Sequence, residues 1–124
     1  MKFCKGHPMK NCHKPNGSSN GMEEEIYERQ VSICRAFANP TRLRMLDLVA
    51  RHPRSGSELQ QQLGISTANL SQHLAVLKAA GVVVTRRDGK QIHCSLAMPE
   101  VKQACQLIRN VLRAQIRNGR KLAL

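Results

Sequence analysis

Aromatic side chains are nearly missing from this chain of 124 residues: it has no Trp, one Tyr and two Phe. Proteins that hold single-stranded nucleic acid stack bases on aromatic rings, so that class is disfavoured. Acidic residues are scarce too, 8 Asp and Glu against 20 Lys and Arg, for a formal net charge of +12. No apolar run approaches the roughly 20 residues needed to span a bilayer. No segment pairs a basic face with Trp or Phe anchors, so a membrane surface is not the expected partner. No carboxylate pair, Ser-His arrangement or phosphate-cradling glycine loop appears, and the chain reads as a non-enzyme. The basic N-terminus lacks the apolar stretch of a secretory signal, so the expected location is the cytoplasm, with thiols reduced. The five cysteines, Cys4, Cys12, Cys34, Cys94 and Cys105, are then read as metal ligands, redox sensors or core residues, not structural disulfides.

What is present is a basic excess without a matching acidic one. Residues 1–22 hold Lys2, Lys5, Lys10 and Lys14 and no acid, and the remainder still carries twice as many Lys and Arg as Asp and Glu. Such a charge spread over a folded domain points to an anionic partner, most simply nucleic acid. Composition divides the chain into a flexible basic tail (1–22), one small domain (23–118) and a short C-terminal tail (119–124). Glu23–Ala38 reads as a helix with its glutamates at the positive end of the dipole. Its apolar stripe is Tyr27, Val31 and Cys34, widened by Ile26, Ile33 and Phe37. Asn39-Pro40 restarts the chain as cap and first helical residue, and Pro40–Arg51 is expected to bury Leu43, Leu46, Val49 and Ala50. His52-Pro53-Arg54 reads as a loop.

The informative stretch is Ser55–Val84. Ser55 and Glu58 fit a capping box, Gly64 suits a tight turn, Ser66 can cap a second helix, and Gly81 stands where a helix-ending glycine belongs. Leu70, Leu74 and Leu77 share one face of that second helix. The other face carries Thr67, Asn69, Ser71 and Gln72, polar side chains with no evident packing role. This is a helix-turn-helix with its second helix as DNA reader. Val82–Thr85 and Gln91–Leu96 then change to β periodicity around Asp88-Gly89, a tight hairpin signal, making a wing that carries Arg86, Arg87 and Lys90. Met98-Pro99 opens a last helix with Val101, Ala104, Cys105, Ile108, Leu112 and Ile116 at helical spacing. The expected fold is mostly α with a β-hairpin wing (α+β), a winged helix-turn-helix. Apolar stripes on the first and last helices exceed what so small a core needs, and predict a homodimer through those helices.

With these residues in place, the chain resembles the ArsR/SmtB family of bacterial winged-helix repressors. The likeness rests on Ala38-Asn39-Pro40-Thr41-Arg42-Leu43-Arg44-Met45-Leu46, Ser57-Glu58-Leu59, Leu63-Gly64-Ile65-Ser66, Leu70–Leu77, Ala80–Val83 and Arg87–Leu96. It covers roughly residues 25–111 and is more specific than a helix-turn-helix alone. It implies a homodimer that represses an operon and leaves double-stranded operator DNA when an effector binds. The family's metalloid sensors carry Cys-x-Cys on the first helix of the motif, where this chain has Glu58–Leu63 and no cysteine. Its zinc sensors carry Asp and His on the last helix, where Val101–Asn118 has neither. Its sulfur and oxidant sensors join an N-terminal helix to the last helix through a cysteine pair. Cys34 and Cys105 resemble that arrangement in outline, although the family places the first thiol on the second helix, near Asp47 here.

The site candidates follow. Asn69 and Gln72 can pair with adenine edges, and Ser66, Thr67 and Ser71 can reach bases or phosphates. His73 lies at the edge of the buried face, where packing, phosphate contact and base contact are all open. Arg86, Arg87 and Lys90 suit phosphate or minor-groove contact, or are merely a solvated turn. Cys34 and Cys105 are core thiols or a thiol switch answering to an oxidant or reactive sulfur. Cys94 packs inward at the wing root, or joins them in a soft trigonal site for a metal or metalloid such as As(III), Cd(II) or Zn(II). Cys4, His7, Cys12 and His13 are weak metal candidates in the tail, matching no standard zinc spacing. No cofactor is required; the effector is a small inorganic ion or sulfur species, or the protein is an effector-free DNA binder.

Overall fold

The computed structural model describes residues 18–119, so Cys4, His7, Cys12 and His13 lie outside it. The chain divides into two compact units, residues 1–32 and 33–124. Helix α1 (Ser18–Phe37) runs across that division. It starts at Ser18, not at Glu23, so Ser18–Met22 belong to the helix and not to the tail. Once a helix has nucleated, each further residue adds a hydrogen bond at little cost, and composition alone misses such extension. Met22, Ile26, Tyr27 and Val31 on its first unit are exposed.

The second unit holds the core. Asn39 caps α2 (Pro40–Arg51), its Oδ1 accepting from the Arg42 amide at 3.1 Å, with Pro40 in the first turn. Such a cap contributes about 1 kcal/mol. The buried face of α2 is Met45, Leu46 and Val49. Leu43 is exposed, contrary to the expectation from its sequence, and Ala50 is only half-buried. A face centred on Met45, Leu46 and Val49 leaves Leu43 about 110° round the helix.

Arg54-Ser55 is a short strand, β1, so Arg54 does not belong to the loop expected over His52-Pro53-Arg54. It pairs antiparallel with the wing, Arg54 opposite Cys94 and Ser55 opposite His93. Arg54 is buried; its Nε donates to the Leu48 carbonyl at 3.0 Å and a terminal nitrogen to Gln62 Oε1 at 3.2 Å. The guanidinium thereby satisfies one of the last carbonyls of α2, which has no partner within its own helix. A two-residue strand leaves no periodicity in a sequence; pairing alone defines it.

Helix α3 (Gly56–Leu63) opens on the expected capping box. Ser55 Oγ accepts from the Glu58 amide at 3.1 Å, and Glu58 accepts from the Ser55 amide at 2.9 Å. Gly64, at φ 66°, turns the chain into α4 (Thr67–Ala79). Gly81, at φ 78°, ends α4. Its amide donates to the Lys78 carbonyl and the Val82 amide to the Leu77 carbonyl, the paired bonds of a Schellman ending. Strands β2 (Val83–Asp88) and β3 (Gln91–Leu96) form the wing, and the sheet order is β1-β3-β2. Asp88 pairs with Gln91, so the hairpin loop is Gly89-Lys90, one residue later than the Asp-Gly signal suggests. Gly89 has φ 64° and Lys90 has no positive φ, the pattern of a type II′ turn. Helix α5 (Pro99–Arg117) closes the chain.

The core joins Ala36, Met45, Leu46, Val49, Leu59, Leu70, Leu74 and Leu77 to Val82, Val83, Cys94 and Val101. Of the apolar positions expected along α5, only Val101 is buried; Ala104 and Cys105 are half-buried, and Ile108, Leu112 and Ile116 are exposed with Leu107 and Val111. The fold is mostly helical with a small antiparallel wing, a winged helix-turn-helix.

Candidate nucleic-acid interface

The reading helix is held from three sides. Ser66 Oγ accepts from the Asn69 amide at 3.1 Å and caps α4, so this hydroxyl is already engaged at the helix entrance. Gln60 of α3 donates to Thr67 Oγ1 at 3.1 Å, which ties the two helices of the motif together. Leu70, Leu74 and Leu77 are buried in the core. Thr67, Asn69, Ser71 and Gln72 are all exposed. The helix has no acidic residue to repel a phosphate backbone.

His73 is half-buried, and its Nδ1 lies 3.3 Å from a terminal nitrogen of Arg42. The same guanidinium donates to the carbonyls of Ala36 at 2.7 Å and Arg35 at 3.1 Å, the last turn of α1. Arg42 thus connects the end of α1, the start of α2 and the middle of α4. Burial first, and the Arg42 charge second, hold His73 below its ordinary pKa of 6.5. A neutral imidazole accepting from Arg42 fits that contact, because the protonated ring would set two cations together.

The wing exposes Arg86, Arg87 and Lys90, and none has an ion-pair partner among the described residues. Arg86 stands opposite His93 and Arg87 opposite Ile92 in the ladder. Between wing and reading helix runs a shallow groove lined by Ser71, Leu74, Ala75 and Lys78 of α4 and by Thr85 and Ile92. Lys78 was not among the sequence candidates. Its spacing, four and three residues on through Ala75 from Ser71, was the available signal, since it puts Lys78 on the Ser71 face.

The three described cysteines are free and differ sharply in setting. Cys94 is buried at the wing root, and burial pushes its thiol up to about 11, with Lys78 opposing slightly. That is the inward packing expected from its alternation with Ile92 and Leu96. Cys34 is exposed, so it is not a core residue of the chain. Cys105 is half-buried; burial first and the Asp47 carboxylate second push its thiol up, against Arg109. Among the described residues no group of three or more His, Cys, Asp or Glu could hold a metal. The trigonal site of Cys34, Cys94 and Cys105 is therefore not assembled within one chain. No described helix is long and apolar enough to cross a membrane.

A family model described as a helix-turn-helix domain matches residues 37–86. The chain is 38% identical over 90 residues to the uncharacterized HTH-type transcriptional regulator Rv0081 of Mycobacterium tuberculosis, covering 72% of this chain and 79% of that one. The crystal structure of Rv0081 superposes with a TM-score of 0.70 at 35% identity, over 75% of this chain and 94% of the other. The biofilm growth-associated repressor of Xylella fastidiosa is 31% identical over 86% of this chain and 93% of its own. The transcriptional activator HlyU of Vibrio cholerae is 32% identical over 87% and 92%.

Proposed function

The chain belongs to the ArsR/SmtB family of winged helix-turn-helix transcriptional regulators, which bind DNA and are not enzymes, and on that premise we propose a homodimeric repressor that reads a double-stranded operator in the cytoplasm. The observation that carries this reading is the sidedness of α4: its leucines are buried while Thr67, Asn69, Ser71 and Gln72 stand exposed, and the wing exposes three cations. Asn69 and Gln72 supply bidentate amide contacts to adenine in the major groove, Thr67 and Ser71 adaptable ones. Arg86, Arg87 and Lys90 contact phosphates or the minor groove, with Ser66 and His73 at the edges of the site.

The dimer reading is supported by the exposed apolar side chains of α5, from Leu107 to Ile116, and separately by those of α1. Apolar faces of this kind mark interaction surfaces. A two-fold pair presents two reading helices to half-sites about 34 Å apart. Repression, not activation, is part of the proposal, since similar proteins carry both names. The effector reading is thiol chemistry at Cys34 and Cys105. It is supported by two free thiols on the two helices that carry exposed apolar faces, where a covalent change alters dimer geometry.

The test begins by selecting a binding sequence from random duplex DNA. Reduced protein is then assayed for shift of that sequence alone, with oxidant or persulfide, and with Zn(II), Cd(II) or As(III). The expected result is release by oxidant or persulfide that Cys34→Ser or Cys105→Ser abolishes. Release by metal alone would refute the thiol switch, and failure to enrich any sequence would refute operator reading.

A further inference from the structure

One cleft lies apart from the DNA-reading surface. It lies between α2 and α5, has a volume of about 220 Å³, and lies wholly within residues 33–124. Its apolar floor is Leu46, Leu96 and Val101, and its rim carries Arg51, Lys102 and Arg109. One carboxylate, Asp47, lines the cleft with these three cations, and it is already paired with Arg109. Neither Arg51 nor Lys102 has an ion-pair partner among the described residues. Three cations round an apolar floor against one carboxylate leave the cleft net positive, so an anion placed there is favoured.

We propose that this cleft is a binding site for a small organic anion, a carboxylate with a short apolar body. The volume falls below the roughly 300–1,000 Å³ of pockets for drug-sized molecules, so the ligand has only a handful of heavy atoms. Its carboxylate meets the rim cations, with Arg109 as bidentate partner, and its apolar body covers Leu46, Leu96 and Val101. A phosphate group lacks that body, so a bare phosphate leaves the floor wet. The Asp47–Arg109 pair is a side-chain link between α2 and α5, and a bound carboxylate competes with Asp47 for Arg109. The site is independent of thiol chemistry, although Cys105 lies on its wall.

The test is a titration of uniformly ¹⁵N-labelled full-length chain with hexanoate, hexylammonium or inorganic phosphate at constant ionic strength. Saturable hexanoate shifts centred on Asp47, Ala50, Leu96, Cys105 and Arg109 are expected, with none from hexylammonium or phosphate at the same concentration. Arg109→Gln and, separately, Arg51→Gln each weaken hexanoate about tenfold or more, in proportion to a lost charged hydrogen bond. Cys105→Ser retains hexanoate binding, and loss in that variant would transfer the site to the thiol reading and overturn this one. Equal binding of hexylammonium would show an apolar slot without anion recognition, and equal binding of phosphate would show cations without a body site. Either result, or an absence of saturable shifts, overturns the proposal.

Discussion

Removing the Arg42 guanidinium is the sharpest probe of how the reading helix is held. Arg42→Ala deletes two bonds to the last carbonyls of α1, at 2.7 and 3.1 Å, and the 3.3 Å contact to His73 on α4. A hydrogen bond from a charged donor contributes about 1.5–3 kcal/mol when its partner is left dry. Arg42 is only half-buried, so water replaces part of each bond. The expected loss is therefore about 2–3 kcal/mol in total, not the sum of three full bonds. Urea unfolding at one fixed protein concentration measures it, because a dimer's stability depends on concentration. His73 provides a second, local readout. With Arg42 gone, one cause of its lowered pKa disappears and water reaches the ring, so its pKa moves up toward 6.5. A histidine held below 6.5 when folded takes up its proton more readily in the unfolded chain, so native stability declines as pH falls below 6.5 and the penalty is complete below the folded pKa. That penalty shrinks in Arg42→Ala, and the stability gap between the two proteins narrows as pH is lowered from about 7 to about 5. A loss under about 0.5 kcal/mol, the size of an ordinary surface substitution, would refute the account. So would an unchanged His73 titration by NMR.

Three further outcomes are expected. Gln72→Ala relaxes base preference at one operator position, whereas Arg87→Ala weakens specific and random DNA alike and lowers the salt slope by about one unit; fluorescence anisotropy across a salt series separates the two, and equal loss on both DNAs for Gln72→Ala counts against base reading. Among the three described cysteines, Cys34 reacts first with iodoacetamide in the native protein and Cys94 stays protected, since a thiol raised from 9.0 to about 11 has about 100-fold less thiolate at neutral pH; mass mapping that finds Cys94 modified before Cys34 would contradict its placement. Ser66→Ala removes the cap of α4 and costs about 1 kcal/mol, read as a shifted urea midpoint with an unchanged slope, and an unshifted midpoint would mean that the Asn69 amide finds another partner.

Local chemistry was legible wherever the cause lies within one turn. The Ser55–Glu58 box, the Ser66 and Asn39 caps, and the glycines at 64 and 81 each act on neighbours three or four residues away, and all are found in place. Leu70, Leu74 and Leu77 announced the buried side of α4, and the exposed face followed by exclusion. The interactions without a local signal act across long separations. Arg42 reaches His73 over 31 positions and Arg109 reaches Asp47 over 62. Arg54 is a buried cation whose partners, the Leu48 carbonyl and Gln62, come from flanking helices. Hydropathy gives no hint of such a residue, because burial of a charge depends on acceptors brought from elsewhere.

By itself the amino-acid sequence determined the order of the helices and the two wing strands, the caps and glycine turns between the helices, and which face of the reading helix is free. Those features follow from periodicity and from the few residue types able to take an orphan amide or a positive φ. Only the tertiary structure decided which cysteine is buried. Cys34, Cys94 and Cys105 all sit on apolar patterns, yet one is exposed, one buried and one half-buried. A periodic pattern states that a face is apolar; whether anything covers that face depends on what the rest of the chain brings to it. The same holds for the cations of the α2–α5 cleft, which are unremarkable in sequence and converge only because two helices far apart in the chain pack side by side.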